Sequence, residues 1–320
     1  MKKFDIMTLG VPMVEFIREE KDRPLSVASK FYGPIPAGDP GIALNACVKL
    51  GFRGCYVGVL GKDAMADCFL RQMHDSGINT DWLRVHDSLL TGMSILGKNS
   101  DGSREFIFTV PFSAAATIGL QDLDKKLLKN VRWIHLSGFA MSISDSSAML
   151  HNELIREAGE DVRISFDPNF RSEVISKNEY VFRCKEVLQR CDYFLPSRGE
   201  AAIFSDDPSQ SDEDFCKDLS MKGKEVVLKD GAKGTYAFSK GEGHYYPPYP
   251  VTEVDGTGAG DTFDGALIAA TMQGSNLFEA TGYAAAAGAL AVTRYGLMEI
   301  APVWEDIYAL MKKHSNADER

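Results

Sequence analysis

The chain has 320 residues, a formal charge of −10 at pH 7 and 44% hydrophobic side chains, enough apolar material to fill the core of one large α/β domain with an appendage, or of two domains. Its acidity excludes a general nucleic-acid surface, which needs clustered Lys and Arg; an anionic ligand has to find its positive charge locally. Met1-Lys-Lys-Phe4 runs directly into a strand pattern without a signal-peptide core, and no apolar run reaches about 18 residues, so a cytoplasmic location with no membrane partner is expected. The cysteines at 47, 55, 68, 184, 191 and 216 form neither Cys-x-x-Cys nor a Cys/His cluster and read as reduced thiols.

Residues 4–9 read as a buried strand, and 11–16 continue towards Glu15. Residues 27–35 look extended until Pro34, Pro36 and Pro40 break the run. Ala37-Gly-Asp-Pro-Gly-Ile42 opens a helix over 43–50, closed by Gly51; Gly38 and Asp39 there can meet a ligand at a helix start, or Asp39 is a simple turn aspartate. A strand over 55–60 and a helix over 65–76 follow, with Met65, Phe69 and Met73 on one core face. Two extended runs, 91–97 and 104–110, flank the hairpin signal Asn99-Ser-Asp-Gly102 and interrupt a βαβ alternation that implies a parallel sheet. The alternation resumes with strand 133–136, helix 146–158 and strand 163–166, which ends at Asp167-Pro-Asn-Phe-Arg171. Ligands collect beyond the carboxyl ends of parallel strands, which singles out Asp167, Asn169 and Arg171; local turn caps are the alternative. Helix 181–189 and strand 193–196 lead to Ser197-Arg-Gly-Glu200, which also fits a helix-start cap, and 206–214 reads as a solvated acidic loop. Strands 225–228 and 235–238 enclose Lys229-Asp-Gly-Ala-Lys-Gly234. Residues 283–292 read as a small-residue helix, and 302–312 as a final amphipathic helix before a frayed tail over 316–320.

The most informative stretch is 251–270. Val251, Thr252 and Val254 favour a strand, Gly256, Gly258 and Gly260 strip side chains from a turn, and 262–273 is helix-compatible with Gly274 as its cap. The peptide N–H groups of Gly258, Ala259 and Gly260 at a helix start, with the positive end of the helix dipole, make an anion site that a phosphate can approach closely. Asp261 beside it would repel that anion unless it has another task, and accepting the proton of an attacking hydroxyl is such a task. Asp261 is therefore read as a general base; a glycine turn that merely lets a helix pack on a sheet is the alternative. No Gly-x-x-x-x-Gly-Lys-Ser/Thr occurs, and the first strand runs into Gly10-Val-Pro rather than Gly-x-Gly-x-x-Gly, which disfavours a dinucleotide enzyme.

Asp255-Gly-Thr-Gly-Ala-Gly-Asp261 resembles the Asp-Thr-x-Gly-Ala-Gly-Asp signature of the ribokinase-like (PfkB) carbohydrate kinases, with Gly256 where threonine is usual. Ala37-Gly-Asp-Pro40, the segments at 167–171, 197–200 and 229–234, and residues 284–296 support the resemblance in family order over nearly the whole chain. It implies an α/β fold: a three-layer α/β/α domain spanning 1–320 with a mostly parallel central sheet, and a small β-sheet lid inserted from 11–36 and 91–111. It implies ATP and Mg²⁺ as cofactors, admits a monovalent cation, and makes a sugar or sugar acid the small-molecule partner. A homodimer formed through the lid is compatible with it, because exposed sheet edges seek partners. By the same resemblance Glu15, Gly38, Asp39, Asn169, Arg171 and Asp261 meet the sugar, Arg171 facing a phosphate or an acidic acceptor, and Asp167 and Asn169 shaping the site or holding Mg²⁺ through water. Ser197, Lys229, Gly231, Gly234, Gly256 and Gly258 fall to ATP, with Lys229 towards phosphate or ribose, and Glu200 organises Mg²⁺ through water. Ala284, Ala287 and Ala291 either leave room for an adenine ring or serve close helix packing. The chain departs from the family at Ala37 and Ile42, where Gly-Gly-x-x-x-Asn is usual, at Ser197 in place of asparagine, and at Glu15 in place of aspartate.

Within the family, residues 10–16, 137–144 and 167–171 look most like 2-keto-3-deoxygluconate kinases, although Val110-Pro-Phe112 stands where those enzymes carry an arginine. Fructokinase-like and ribokinase-like acceptors stay open. The expected reaction is transfer of the γ-phosphoryl group of ATP to a primary hydroxyl of a sugar or sugar acid. The competing reading is a catalytically silent relative that binds a metabolite or a protein; the departures from pattern suit it, and retention of Gly258, Gly260, Asp261 and Glu200 opposes it.

Overall fold

A computed structural model describes residues 2–318. The chain opens with β1 (Phe4–Leu9), β2 (Met13–Arg18) and β3 (Phe31–Ala37), then α1 (Asp39–Lys49), β4 (Gly54–Leu60), α2 (Ala64–Asp75) and β5 (Asn79–Val85). A hairpin follows, β6 (Gly92–Lys98) and β7 (Arg104–Phe108), turned at Gly102 with φ 87°. Then come α3 (Lys125–Leu128), β8 (Val131–Ser137), α4 (Gly138–Ser142), α5 (Asp145–Glu157), β9 (Arg163–Asp167), α6 (Lys177–Arg190) and β10 (Tyr193–Phe194). The last third holds α7 (Asp212–Met221), β11 (Glu225–Lys229), β12 (Thr235–Ser239), β13 (Glu242–Tyr246), α8 (Ala259–Met272), α9 (Leu277–Ala291) and α10 (Trp304–Asp318).

Two sheets result. The larger has nine strands in the order β13-β12-β11-β10-β9-β8-β1-β4-β5, parallel except at β12 and β13. Its inner strands are buried on both faces, and successive side chains feed two separate cores, as a covered parallel sheet requires. Ile6, Tyr56, Trp133 and Val227 enter the core beneath α1, α8 and α9, whereas Met7, Val57, Ile134 and Val226 enter the core beneath α5 and α6. The smaller sheet, β3-β2-β6-β7, pairs β2 with β6 in parallel and β6 with β7 antiparallel. Its register puts Glu15 opposite Ser94, Ser94 opposite Phe108, Leu96 opposite Phe106 and Lys98 opposite Arg104. With side chains alternating at period two, these residues share one face. That face looks at the larger sheet's end, because Phe108 meets Phe139 at a tilt, 5.2 Å between ring centroids, and Lys98 pairs with Asp255.

The structure corrects several sequence expectations. Residues 251–254 form no strand: Pro247, Pro248 and Pro250 interrupt the ladder just before them, and the N–H groups of Val254 and Asp255 instead donate to the Val292 carbonyl. The extended run expected over 27–35 begins as a strand only at Phe31. The acidic loop expected over 206–214 ends at Ser211, which caps α7, and Asp212 is buried because its carboxylate accepts from Gly199 N and Ala202 N. The tail expected to fray from 316 is helical through Asp318; Glu319 and Arg320 lie outside the described residues.

α1 and α8 cross where Gly265 has no side chain. A Cβ added there would lie 2.2 Å from Ala43 O and 2.7 Å from Ala46 Cβ. Because both helices begin at the candidate site, their spacing sets its geometry. Gly265→Ala is expected to cost about 1–3 kcal/mol through overpacking, read as a lower melting temperature in calorimetry; an unchanged melting temperature would show that the helices part freely.

Candidate active site

The carboxyl ends of the parallel strands meet the amino ends of α1 and α8. From β8 comes Ser137, from β9 Asp167, followed by Asn169 and Arg171, and from β11 Lys229. Ser197 bridges to Lys229 beside the end of β10, with Glu200 three residues on. Asp39 opens α1 and Asp261 lies in the first turn of α8. Such a convergence is where ligands bind in open α/β sheets.

α8 starts earlier than the sequence pattern suggested, at Ala259, because Gly258 takes the left-handed conformation with φ 73° and serves as the helix cap. Its first helical hydrogen bond runs from Thr262 N to Gly258 O. The N–H groups of Ala259, Gly260 and Asp261 are therefore left without a helical partner. Ile42, which stands where the family carries asparagine, packs towards Gly258: a Cβ added to the glycine would lie 3.5 Å from Ile42 Cδ1. The Asp261 carboxyl is half-buried and has no hydrogen-bond or ion-pair partner among the described residues. Burial, then the charges of Asp39 and Asp167, push it well above the usual carboxylate range, against the pull of Lys229 and Arg171.

Asp39 is buried, its Oδ2 accepting from Asn169 Nδ2 at 2.8 Å and from Ser137 Oγ, while its Oδ1 has no hydrogen-bond partner. Burial raises it to about 6 despite those bonds. Asn169 reaches it from a left-handed conformation, φ 40°, with its own N–H on Asp167 Oδ1 at 3.1 Å. Gly38 sits at the cap of α1 with φ 105°. Arg171 is half-buried, has no ion-pair partner among the described residues, and lies 5.5 Å over the ring of Phe106 from the small sheet. From the same sheet Glu15 is buried, with Oε2 on Ser94 Oγ at 2.8 Å and Oε1 unpartnered. Burial raises its pKa above the ordinary glutamate value.

Lys229 is buried at the centre of an ion cluster: its Nζ lies 3.0 Å from Asp167 Oδ2 and 2.9 Å from Asp264 Oδ1. Its ammonium is thus directed at carboxylates, although Gly260 is close, with an added Cβ 3.7 Å from Nζ. Burial pushes Asp264 well above the usual carboxylate range, whereas in Asp167 burial is outweighed by Lys229, which holds that carboxyl below it. Glu200 has both oxygens taken by peptide groups, Oε1 by Phe170 N at 3.1 Å and Oε2 by Ser197 N at 2.9 Å. Burial and the Asp167 charge raise it to about 7. Among the described residues no cluster of three or more His, Cys, Asp or Glu side chains is arranged to hold a metal. The six cysteines are all free.

Beside the α8 start lies a cavity of about 490 Å³, walled by Lys229, Gly231, Gly234, Gly256, Ala259 and Gly260 on one side and by Tyr249, Ala285, Gly288, Ala289 and Val292 on the other. Ser197 and Glu200 do not line it. The alanine face singled out in the sequence, Ala284, Ala287 and Ala291, is buried in the helix packing, and the adjoining face of α9 is the one that borders the cavity. Arg104 of the small sheet also reaches its wall, where a Cβ on Gly256 would lie 2.8 Å from Arg104 Nη2; glycine in place of the family's threonine makes room for it. Sequence reasoning missed Asp264, Ser94, Ser137, Lys98 and Arg104. Asp264 was legible as the i+3 neighbour of Asp261 on one helix face; the others depend on pairings between distant segments.

Residues 3–304 match the pfkB family of carbohydrate kinases, and the chain belongs to that family. It is a sugar kinase, a phosphotransferase with an alcohol group as acceptor. It is 28% identical over 316 residues to a fructokinase of Escherichia coli, covering 94% of this chain and 97% of that one. It is 25% identical to fructokinase-1 of Oryza sativa subsp. japonica, covering 96% and 97%. Among solved structures, an Escherichia coli protein described as a ribokinase II, in complex with ATP and Mg²⁺, superposes with a TM-score of 0.90 at 29% identity, covering 97% of this chain and 100% of that one. Ribokinase of Thermotoga maritima, with a TM-score of 0.79 and 24% identity over 97% and 99% of the chains, shares the fold. Among the described residues no helix is long and apolar enough to cross a membrane.

The charge crowding gives a pH test. A base must be unprotonated to act, so activity falls as pH drops through its pKa. Asp39 is the strongest source of charge repulsion on Asp261, and removing its charge lowers that pKa. Asp39→Asn is expected to move the acid limb of kcat/KM to lower pH; a limb that stays in place would remove Asp261, or its coupling to Asp39, from the titration.

Proposed function

We propose that the protein transfers the γ-phosphoryl group of ATP to a primary hydroxyl of a sugar, with Asp261 as general base. The observation that carries this is an unpartnered, half-buried carboxyl next to peptide N–H groups that also lack partners, at one helix start. The open N–H groups of Ala259 and Gly260 stabilise charge developing on the transferring phosphoryl oxygens. Asp261 orients the acceptor hydroxyl and takes its proton. The cavity beside α8, with its Ala and Gly wall and Tyr249, fits a nucleoside, and Gly231, Gly234 and Gly256 let its phosphates come near the backbone. Arg104 adds positive charge on that side, whereas the charge of Lys229 is taken up by Asp167 and Asp264. Mg²⁺ carried on the triphosphate supplies further neutralisation of phosphoryl charge. Glu200, whose two oxygens each accept a peptide N–H, would help hold that ion through water.

On the acceptor side, Glu15 Oε1 and Asp39 Oδ1 are buried acceptors without donors. Sugar hydroxyls satisfy both, which favours a neutral ketose or pentose, in line with the fructokinase relatives. A sugar acid of the 2-keto-3-deoxygluconate type is the second reading, and unpaired Arg171 is the observation for it. The small sheet then acts as a lid over the acceptor, part of a single domain spanning 1–320, and excludes water as a competing nucleophile. Its edge strands β3 and β7 expose Phe31, Tyr32 and Ile107, where a second copy can pair; light scattering showing a monomer at high concentration would exclude that homodimer.

A positioned base contributes about 10²–10⁴-fold, so Asp261→Asn is expected to lower kcat by that factor while calorimetry still shows ATP binding. Near-wild-type turnover would remove Asp261 from its role. An ADP-release panel of fructose, ribose, glucose and 2-keto-3-deoxygluconate decides the acceptor. Turnover restricted to the acid, and lost in Arg171→Gln, would reverse the order of the two readings.

A further inference from the structure

Lys98 and Asp255 join parts of the chain far apart in sequence, and neither has a place in the sugar, nucleotide or proton-transfer groups above. Lys98 Nζ lies 2.5 Å from Asp255 Oδ1; the Asp255 side chain is fully buried and that of Lys98 is 15% exposed. The same carboxyl oxygen accepts Thr257 N at 3.0 Å and Thr257 Oγ1 at 2.8 Å, while Asp255 N donates to Val292 O at 3.1 Å. Asp255 therefore shapes the turn immediately before Gly258, the left-handed cap on which the open N–H groups depend. Its other oxygen, Oδ2, is buried without a hydrogen-bond partner. Lys98 ends β6 on the inner face of the small sheet, opposite Arg104. Its ammonium also stands 5.8 Å over the ring of Tyr295, just past α9.

A buried carboxylate beside a polyphosphate site is disfavoured twice, by desolvation and by repulsion of the incoming anion. A compact ammonium against it removes both objections. We propose that Lys98 is a positioning residue, a built-in monovalent cation that neutralises Asp255 and fixes the Thr257–Gly258 turn, so that the phosphoryl-binding N–H groups are aligned only while the small sheet is in place. The proposal rests on the kinase reading of the site. Because the cation is covalently part of the sheet, closure over the acceptor and ordering of the phosphate turn become one event, and no dissolved monovalent cation is needed for either.

Lys98→Ala empties the space beside Asp255 and leaves a hole that K⁺ or NH₄⁺ can enter, whereas tetramethylammonium is too large; Lys98→Met keeps it filled with an uncharged chain. The unliganded proteins are melted, and the turnover of each measured, in potassium, ammonium or tetramethylammonium chloride at equal ionic strength. Wild type is expected to be indifferent to the cation in both readouts. Lys98→Ala is expected to melt several degrees higher in potassium or ammonium than in tetramethylammonium. Its kcat should drop by about 5–150-fold, the usual range of coupling between linked sites, and recover with the small cations, while Lys98→Met stays low in all three salts. Should Lys98→Ala fold only with a small cation present, that too supports the proposal. Wild-type turnover stimulated severalfold by potassium, or a Lys98→Ala protein whose melting and kcat ignore the cation, overturns it. The melting arm needs no substrate, so absence of turnover on every sugar would count against the kinase reading while the cation dependence of melting still decides the role of Lys98.

Discussion

Carboxyl groups that should repel one another are gathered in one place. Asp39 opens α1, Asp167 ends β9, Glu200 follows β10, and Asp261 and Asp264 lie one turn apart on α8, with Lys229 at the end of β11 as the buried cation among them. A parallel sheet creates this problem by design, because all its strand ends and helix starts face the same side. It also supplies part of the remedy: each helix start carries roughly half a positive charge, and Asp39 and Asp261 both sit in first turns. Burial first, and then the repulsion that remains, raises the pKa values, to about 6 at Asp39 and about 7 at Glu200, and well above the ordinary range at Asp261.

In the proposed reaction that elevation suits Asp261 to take a proton. A carboxylate in water is a poor base near neutral pH because its pKa is too low, and a match between base and operating pH is favourable. Lys229 holds the neighbouring carboxyls together without reaching Asp261 by an ion pair, so the base feels attraction and repulsion at a distance and keeps its lone pairs free. The packing of α1 against α8 at Gly265 then matters chemically. It fixes how far Asp39 stands from Asp261, and through that distance the base strength.

The large sheet was legible because its evidence is local. Alternating strand and helix patterns and the glycine turn before α8 each lie within a few residues, as does the Asn99–Gly102 hairpin of the small sheet. The strand expected at 251–254 failed because prolines upstream outweigh the β-branched side chains. Ser137 meets Asp39 across 98 residues and Lys229 meets Asp167 across 62; no local pattern foretells such pairings. The same holds for the inner face of the small sheet. The period of two in 104–108 puts Arg104, Phe106 and Phe108 together, but only the β6–β7 and β2–β6 registers bring Lys98, Ser94 and Glu15 to that face. The alanines of α9 teach a related lesson: composition marked the helix as one that packs closely, but the choice between its buried face and the face along the cavity was made by rotation about the helix axis.

The acceptor and the base are coupled through the same charges. On the proposed reading, a neutral sugar adds burial around Asp261 but no charge. A sugar acid brings one more carboxylate into a cleft that already raises Asp261, and its repulsion has to be met by Arg171, the unpaired guanidinium stacked on Phe106. Arg171 already lowers the pKa of Asp261, Asp39 and Glu200, so spending it on a substrate carboxylate withdraws part of that relief from all three. On the proposed reading, phosphates arriving on the other side push in the same direction, and the small sheet places Arg104 at the cavity wall and Lys98 against Asp255. On that reading, the more negative the substrates, the more Asp261 depends on the sheet that carries those cations.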